Sequence, residues 1–282
     1  MERRLIINAD DFGLSESVNK GIVEAHTKGV LTSTTIMTNM PAAEQAVDLA
    51  KNLPALGIGV HLNLTAGKPL CRDNIVKSIL DSQGHFALSP GKLAFASLIT
   101  GKVRAAIEAE LSSQIQWLID KGVKPTHLDS HKHVHSFPTI FPIVCRLAKR
   151  FGVPAIRYAF EPKQVCQLPW PLTDRESRKR ASLVRIMSKF NRWQNPAFFK
   201  TDALLGVAHV GTINAAFMRA VSLYNAASTA EVMTHPGYAY DLDANKTRLV
   251  KQRELELAAL CDEKIKQYFK DANIKLVNYG QL

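Results

Sequence analysis

The residues able to do chemistry gather at a few points of this 282-residue chain. Asp10 and Asp11 follow the apolar run Leu5 to Ile7, within Asn8-Ala9-Asp10-Asp11-Phe12-Gly13. Neighbouring carboxylates repel, and a cation or a shared proton relieves the repulsion, so the pair points to a metal or to acid-base work. The ordinary alternative is a solvated turn with Asp11 or Ser15 capping the next helix. His61 lies in Gly59-Val60-His61-Leu62-Asn63-Leu64, and the stretch from His127 to His135 holds four histidines around Asp129. Imidazole and carboxylate are usual ligands of Zn, Co, Ni, Mn and Fe. Residues 127, 129 and 131 would share one strand face, so only some of these groups can meet at one ion. A lone histidine is ordinarily a core or surface residue; a cluster converging with Asp11 and His61 reads as a metal site. His235, in Met233-Thr234-His235-Pro236-Gly237-Tyr238, has an imidazole that titrates near neutrality and can donate a proton to a leaving group. Its bland alternative is a turn histidine bonded to backbone.

These groups sit where strand-like runs end. Leu5 to Ile7, Thr34 to Met37, Ile58 to Leu64, Thr126 to Asp129, Ala155 to Tyr158, Leu204 to Val207, Glu231 to Thr234 and Ile274 to Val277 have strand character. Helical spacing falls between them: Val18, Ile22 and Ala25 after Ser15; Ala43, Ala46, Val47 and Ala50 after Pro41; Ile107, Leu111, Ile115 and Leu118 before Gly122. A helix opened by Pro138 would turn Phe141, Val144 and Leu147 inward, and two more are expected at about 212 to 226 and 246 to 270. Residues 66 to 101 read as an excursion over a site mouth with short helical pieces, and 161 to 173 as a proline-rich loop. Alternation of strand and helix implies parallel strands with right-handed crossovers. The expected fold is an α/β, distorted (β/α) TIM-like barrel of seven or eight parallel strands, one domain over residues 1–282. Its C-terminal strand ends would carry the chemistry.

Composition sets outer bounds. At 46% hydrophobic residues the chain can bury a full core. Cys71, Cys145, Cys166 and Cys261 are scattered without C-x-x-C spacing, which fits reduced thiols in the cytoplasm. The N-terminal segment lacks the pattern of a signal peptide, and no apolar run approaches the roughly 20 residues of a membrane span. A net charge of +11 admits nucleic acid, an anionic membrane or an acidic substrate as partner. Nucleic acid is set aside for want of a binding motif or an aromatic-basic stripe. The basic excess concentrates at residues 174–193, where Arg175, Arg178, Lys179, Arg180, Arg185, Lys189 and Arg192 flank Leu183, Ile186, Met187 and Phe190, with Asp174 as the cap. The plain expectation is a barrel helix with a solvated outer face; the sharper one is peripheral contact with the inner membrane face.

Four ordered segments carry a family resemblance. Asn8-Ala9-Asp10-Asp11-Phe12-Gly13, Gly59 to Leu64, His127 to His135 and Met233-Thr234-His235-Pro236-Gly237 are similar to signature segments of the YdjC-like carbohydrate deacetylases, which include chitooligosaccharide deacetylases. The resemblance runs nearly end to end. It implies one divalent cation held by Asp11, His61 and His131, with Asp10 as catalytic base and His235 as general acid. The family implies Mg2+; by ligand chemistry the Asp-His-His set favours Zn2+ or Co2+. The implied reaction removes N-acetyl groups from an amino sugar, oligosaccharide or glycolipid and releases acetate. Asn63, Arg157 and Tyr238 are candidate sugar contacts. Residues 247 to 280 resemble a branch associated with hopanoid glycolipids. A homo-oligomer is left open. The competing readings are a metal-dependent phosphoesterase or glycoside hydrolase, the latter needing a second carboxylate for which Asp129 is the obvious candidate, and a basic protein that only binds nucleic acid or a membrane surface.

Overall fold

The computed structural model describes residues 2–166, 175–244 and 247–282. Much of the loop expected at 161 to 173, and the cap expected at Asp174, lie outside the described residues. Seven parallel strands form one sheet: β1 (Arg3–Phe12), β2 (Ser33–Ile36), β3 (Gly57–Leu62), β4 (Leu128–Ser130), β5 (Ala203–Leu205), β6 (Thr229–Thr234) and β7 (Ile274–Leu276). Helices α1 (Glu16–Thr27), α2 (Ala43–Lys51), α3 (Pro90–Ile99), α4 (Gly101–Asp120), α5 (Phe141–Phe151), α6 (Lys163–Cys166), α7 (Arg175–Gln194), α8 (Ala215–Leu223), α9 (Lys251–Leu260) and α10 (Glu263–Asp271) connect them.

The strand order is β4-β3-β2-β1-β6-β5, with β7 paired to the first residues of β1. Between β4 and β5 the chain at 155–160 serves as an irregular stave. Leu128 N–H donates to Ala155 and Arg157 N–H to Leu128 on one side, and Leu204 N–H donates to Phe160 on the other. The strand expected at Ala155 to Tyr158 is thus reduced to a single bridge, Leu128 to Ile156. With that stave the strands curl into a distorted barrel.

Sequence pattern explains most of these elements. Ser15 caps α1 through its hydroxyl, and Val18, Ile22 and Ala25 are buried. In α4 the expected face, Ile107, Leu111, Ile115 and Leu118, is buried, and Gly122 follows with φ +81°. β3, which alternates in sequence, is buried on both faces, as a parallel strand between helix layer and barrel interior must be. Two boundaries shift. The helix after β4 begins at Phe141, with Pro142 in its first turn, rather than at Pro138. The single helix expected at 246 to 270 is two, because Asp262 caps a new one at Lys264 N–H. The excursion at 66 to 101 contains a 3-10 turn at Asn74–Ile79 and α3, and its start is anchored on α4 by Leu70 and Cys71 N–H donating to the buried Glu110.

Candidate metal and catalytic site

Successive strand residues point to opposite faces, so an Asp-Asp pair in a regular strand would send one carboxylate away from the other. β1 does not stop at the acids; it runs through Phe12, with a register break between Ala9 and Phe12. At that bulge Asp11 takes φ +69°, a left-handed conformation that aspartate tolerates. Both carboxylates consequently approach the ring of His61 on β3. The close passage of Gly13 supports the bend: a Cβ there would meet Ala43 and the Met37 carbonyl.

Asp11, His61 and His131 each offer a ligand atom, all within 4.8 Å of one another. Asp11 Oδ1 lies 3.4 Å from His61 Nε2 and 3.3 Å from His131 Nδ1, and it is a buried acceptor without a hydrogen-bond partner. Asp11 Oδ2 accepts from Arg253 Nη2 of α9 at 2.6 Å. On the far side of the His61 ring, Nδ1 faces Asp129 Oδ1 at 2.8 Å. A carboxylate behind a ligating imidazole fixes its tautomer and leaves the other nitrogen for an ion. These residues fit a divalent cation in donor type, spacing and the unsatisfied oxygen. Burial opposes charge on His61, but Asp129, Asp10 and Asp11 outweigh it and push the ring up to about 9, so an ion here would take the place of a proton.

Asp10 belongs to a different network. Arg157, on the irregular stave, is wholly buried and grips Asp10 with two bonds of 2.8 and 2.6 Å. The same guanidinium reaches Asp129 at 2.7 Å and Glu231 of β6 at 2.9 Å through Nε. Burial would raise the Asp10 carboxyl, yet the charge and hydrogen bonds of Arg157 hold it well below the usual carboxylate range. Asp10, His61 and Asp129 also lie within ligand distance of each other, but Arg157 already neutralises both of those acids. The cluster around Asp11 is therefore the better cation site.

His235 follows the end of β6, and the pairing of Ala9 with Thr234 sets it level with Asp10 on the adjacent strand. Glu256 of α9 accepts from His235 N–H, Gly237 N–H donates to Arg253, and Gly237 packs so closely on α1 that a Cβ at Gly21 would come within 2.5 Å of it. Burial pushes the His235 ring down to about 4, with Asp10 and Asp11 pulling the other way.

Of the four clustered histidines, His131 is the one in the Asp11 ligand group, while His133 feels the charges of Asp10, His61 and His235 and has a buried Nδ1 without a hydrogen-bond partner. His131 starts a 3-10 turn, His131–Ser136, in which Lys132 and His133 adopt φ of +55° and +54°. His135 is occupied by the Ser130 hydroxyl at 2.6 Å, and His127 stacks on Tyr279 at 3.9 Å between ring centres. The three expected sugar contacts are otherwise engaged. Asn63 is buried, its amide nitrogen donating to Asn39 and to the Ala66 carbonyl and its oxygen accepting from the N–H groups of Thr65 and Ala66. Arg157 is wholly buried among three acids, Asp10, Asp129 and Glu231. Tyr238 donates to Glu24 on α1 at 2.6 Å, with Lys20 over its ring. Arg253, Glu231 and Glu256 were not singled out from sequence; a charge inside an apolar run is the signal that could have found Glu231.

Carboxylates and imidazoles at the C-terminal rim of a parallel barrel define the class of α/β barrels that carry their reactive side chains at the strand ends. The family model described as YdjC-like protein matches residues 4–271, and the chain belongs to that family. Its relatives include a carbohydrate deacetylase of Brevibacillus brevis, 38% identical over 279 residues, covering 99% of each chain. Another, a carbohydrate deacetylase of Geobacillus stearothermophilus, is 35% identical over 281 residues, 100% of this chain and 98% of that one. Among solved structures, a protein from Enterococcus faecalis described as a candidate for cellobiose-phosphate cleavage superposes with a TM-score of 0.80 at 26% identity, over 100% of this chain and 99% of the other.

Proposed function

We propose that the chain is a metal-dependent carbohydrate N-deacetylase, removing the acetyl group of an N-acetylated amino sugar, oligosaccharide or glycolipid as acetate. The observation that carries this reading is the unsatisfied Asp11 Oδ1 facing two imidazoles beside an Arg157-held Asp10, in a chain whose full-length relatives are carbohydrate deacetylases. Asp11, His61 and His131 would hold the ion; two imidazoles with one carboxylate favour Zn2+ or Co2+, against the Mg2+ that the family resemblance implies. When bound, such a cation supplies Lewis acidity to the acetamide carbonyl and lowers the pKa of water.

The chain's own residues supply the proton traffic. Asp10, ionised and fixed by two hydrogen bonds, accepts the proton of the attacking water. His235 is neutral at pH 7, so its proton must come during the reaction, from Asp10 across the β1–β6 pair. It then passes that proton to the departing sugar nitrogen, which leaves poorly as an anion. The whole chain acts as one domain in this scheme, and the free thiols of Cys71, Cys145 and Cys261 support a cytoplasmic setting. No helix among the described residues is long and apolar enough to cross a membrane.

Cleavage of a glycosidic bond is the second reading, favoured by the description of the Enterococcus faecalis structure. It needs a carboxylic acid at the bond opposite Asp10. Asp129 does not serve: it is wholly buried under His61 and paired with Arg157. The two readings separate on product. Metal-stripped protein reloaded with Zn2+, Co2+ or Mg2+ should release acetate from N-acetylated chito-oligosaccharides without shortening the chain; shortened sugars without acetate would overturn the proposal.

A further inference from the structure

The structure turns the expected apolar face of α7 outward. Its buried positions are Ala181, Val184, Met187, Ser188 and Asn191, so only Met187 of the expected series faces the body. Leu183, Ile186, Phe190 and Trp193 are 55%, 64%, 44% and 80% exposed. At 3.6 residues per turn these four fall within an arc of about 80°, and exposed Arg175, Arg178, Lys179, Arg180 and Lys189 accompany them. A helix anchored by one face while showing water an apolar stripe bordered by cations has the composition of an interfacial helix.

We infer that this face of α7 docks the protein on an anionic lipid bilayer. Charge complementarity selects that occupant. A second copy docking through the same face would set like-charged side chains against each other across a twofold axis. A nucleic acid would match the cations but leave a Leu-Ile-Phe-Trp stripe unused, whereas a bilayer takes both, with Trp193 at headgroup depth. α7 also packs on the His131–Ser136 turn, where Asn191 donates to the Ser136 carbonyl. α3, whose Phe95, Leu98 and Ile99 are exposed, packs on the same turn. Docking would hold the turn that carries His131 near the lipid surface, within reach of an acetamido sugar borne on a lipid; that consequence rests on the deacetylase reading, while the docking itself does not.

The test is co-sedimentation of the full chain with vesicles of phosphatidylcholine containing phosphatidylglycerol, beside vesicles of phosphatidylcholine alone. Wild type should pellet with the anionic vesicles, release with added salt, and bind the neutral ones weakly. A Leu183→Ser, Ile186→Ser, Trp193→Ser variant and an Arg178→Glu, Lys179→Glu variant should each lose roughly tenfold or more in partitioning. Both should keep the wild-type melting temperature and acetate release from a soluble substrate, because the altered side chains are exposed and outside the site. Wild type that ignores anionic vesicles, or a serine variant that binds as well as wild type, overturns the inference. So does a dimer in sedimentation velocity that the serine variant converts to monomer while vesicles are ignored, which would give the stripe to a second copy. Failure of acetate release in wild type would remove the catalytic reading and leave the vesicle result standing.

Discussion

Asp10 and Asp11 are adjacent in sequence, equally buried, and placed in two opposite kinds of surroundings. Asp10 sits in a closed network, where Arg157 offers it two bonds and shares the rest of its guanidinium with Asp129 and Glu231. Asp11 sits at an open one, with one oxygen held by Arg253 and the other facing His61 and His131 with nothing to accept. Identical side chains thereby acquire different chemistry. A carboxylate whose charge is already balanced is kept ionised and oriented, as a base needs; one with a spare oxygen among imidazoles is a ligand.

The most disruptive way to break this contrast is to remove Arg157. Arg157→Met leaves Asp10, Asp129 and Glu231 buried without their counter-ion, and breaking a buried ionic network costs about 3–5 kcal/mol. Denaturant unfolding should show a loss of that order together with loss of activity; a near-native midpoint would mean that the acids find other partners.

Asp10→Asn probes the closed side alone, since Arg157 retains two acids. Turnover should fall by roughly 10²- to 10⁴-fold with folding and metal content unchanged. Near-normal acetate release would take Asp10 out of the mechanism.

His235 tests the proton path between the two sides. His235→Ala should slow amide cleavage by about 10²-fold or more, yet slow an activated ester far less, because an ester oxygen leaves with little proton assistance. Equal losses on both substrates would assign His235 to positioning.

A smaller effect comes from a histidine outside the site. The ring of His61 lies between carboxylates and is pushed up to about 9, whereas His209, packed on Phe217 with neither ring nitrogen hydrogen-bonded, is pushed by burial down from 6.5 to about 4. A group whose folded pKa is depressed in this way stays neutral while the unfolded chain takes up a proton, so stability falls as pH drops from 6.5 towards 4. His209→Leu should stabilise the fold by about 1 kcal/mol and flatten that acid-side slope in melting scans. A less stable variant would show that the imidazole has a partner in solution.

The barrel was legible because burial imposes periodicity, and the strand-end histidines and acids were legible because they interrupt it. Arg157 was not. Two of its three acid partners lie 147 and 74 residues away, and an arginine in Ala155-Ile156-Arg157-Tyr158 looks like a substrate contact until the chain closes around it. Asn63 misled in the same way, since a polar side chain after a strand serves a turn as readily as a ligand. The bend at Asp11 was hidden for another reason: a bulge is a matter of register against β2, which no single strand records. In α7 two apolar stripes share one helix, and spacing alone does not say which stripe meets the core.

The central claim is that the two aspartates divide the labour, and an equilibrium titration of metal-free protein with Zn2+ tests it most directly. Wild type and Asp10→Asn should each bind one ion with similar affinity, while Asp11→Asn, whose neutral amide replaces the charged ligand oxygen, should bind at least tenfold more weakly. Equal weakening in both variants, or full binding by Asp11→Asn, would contradict the account.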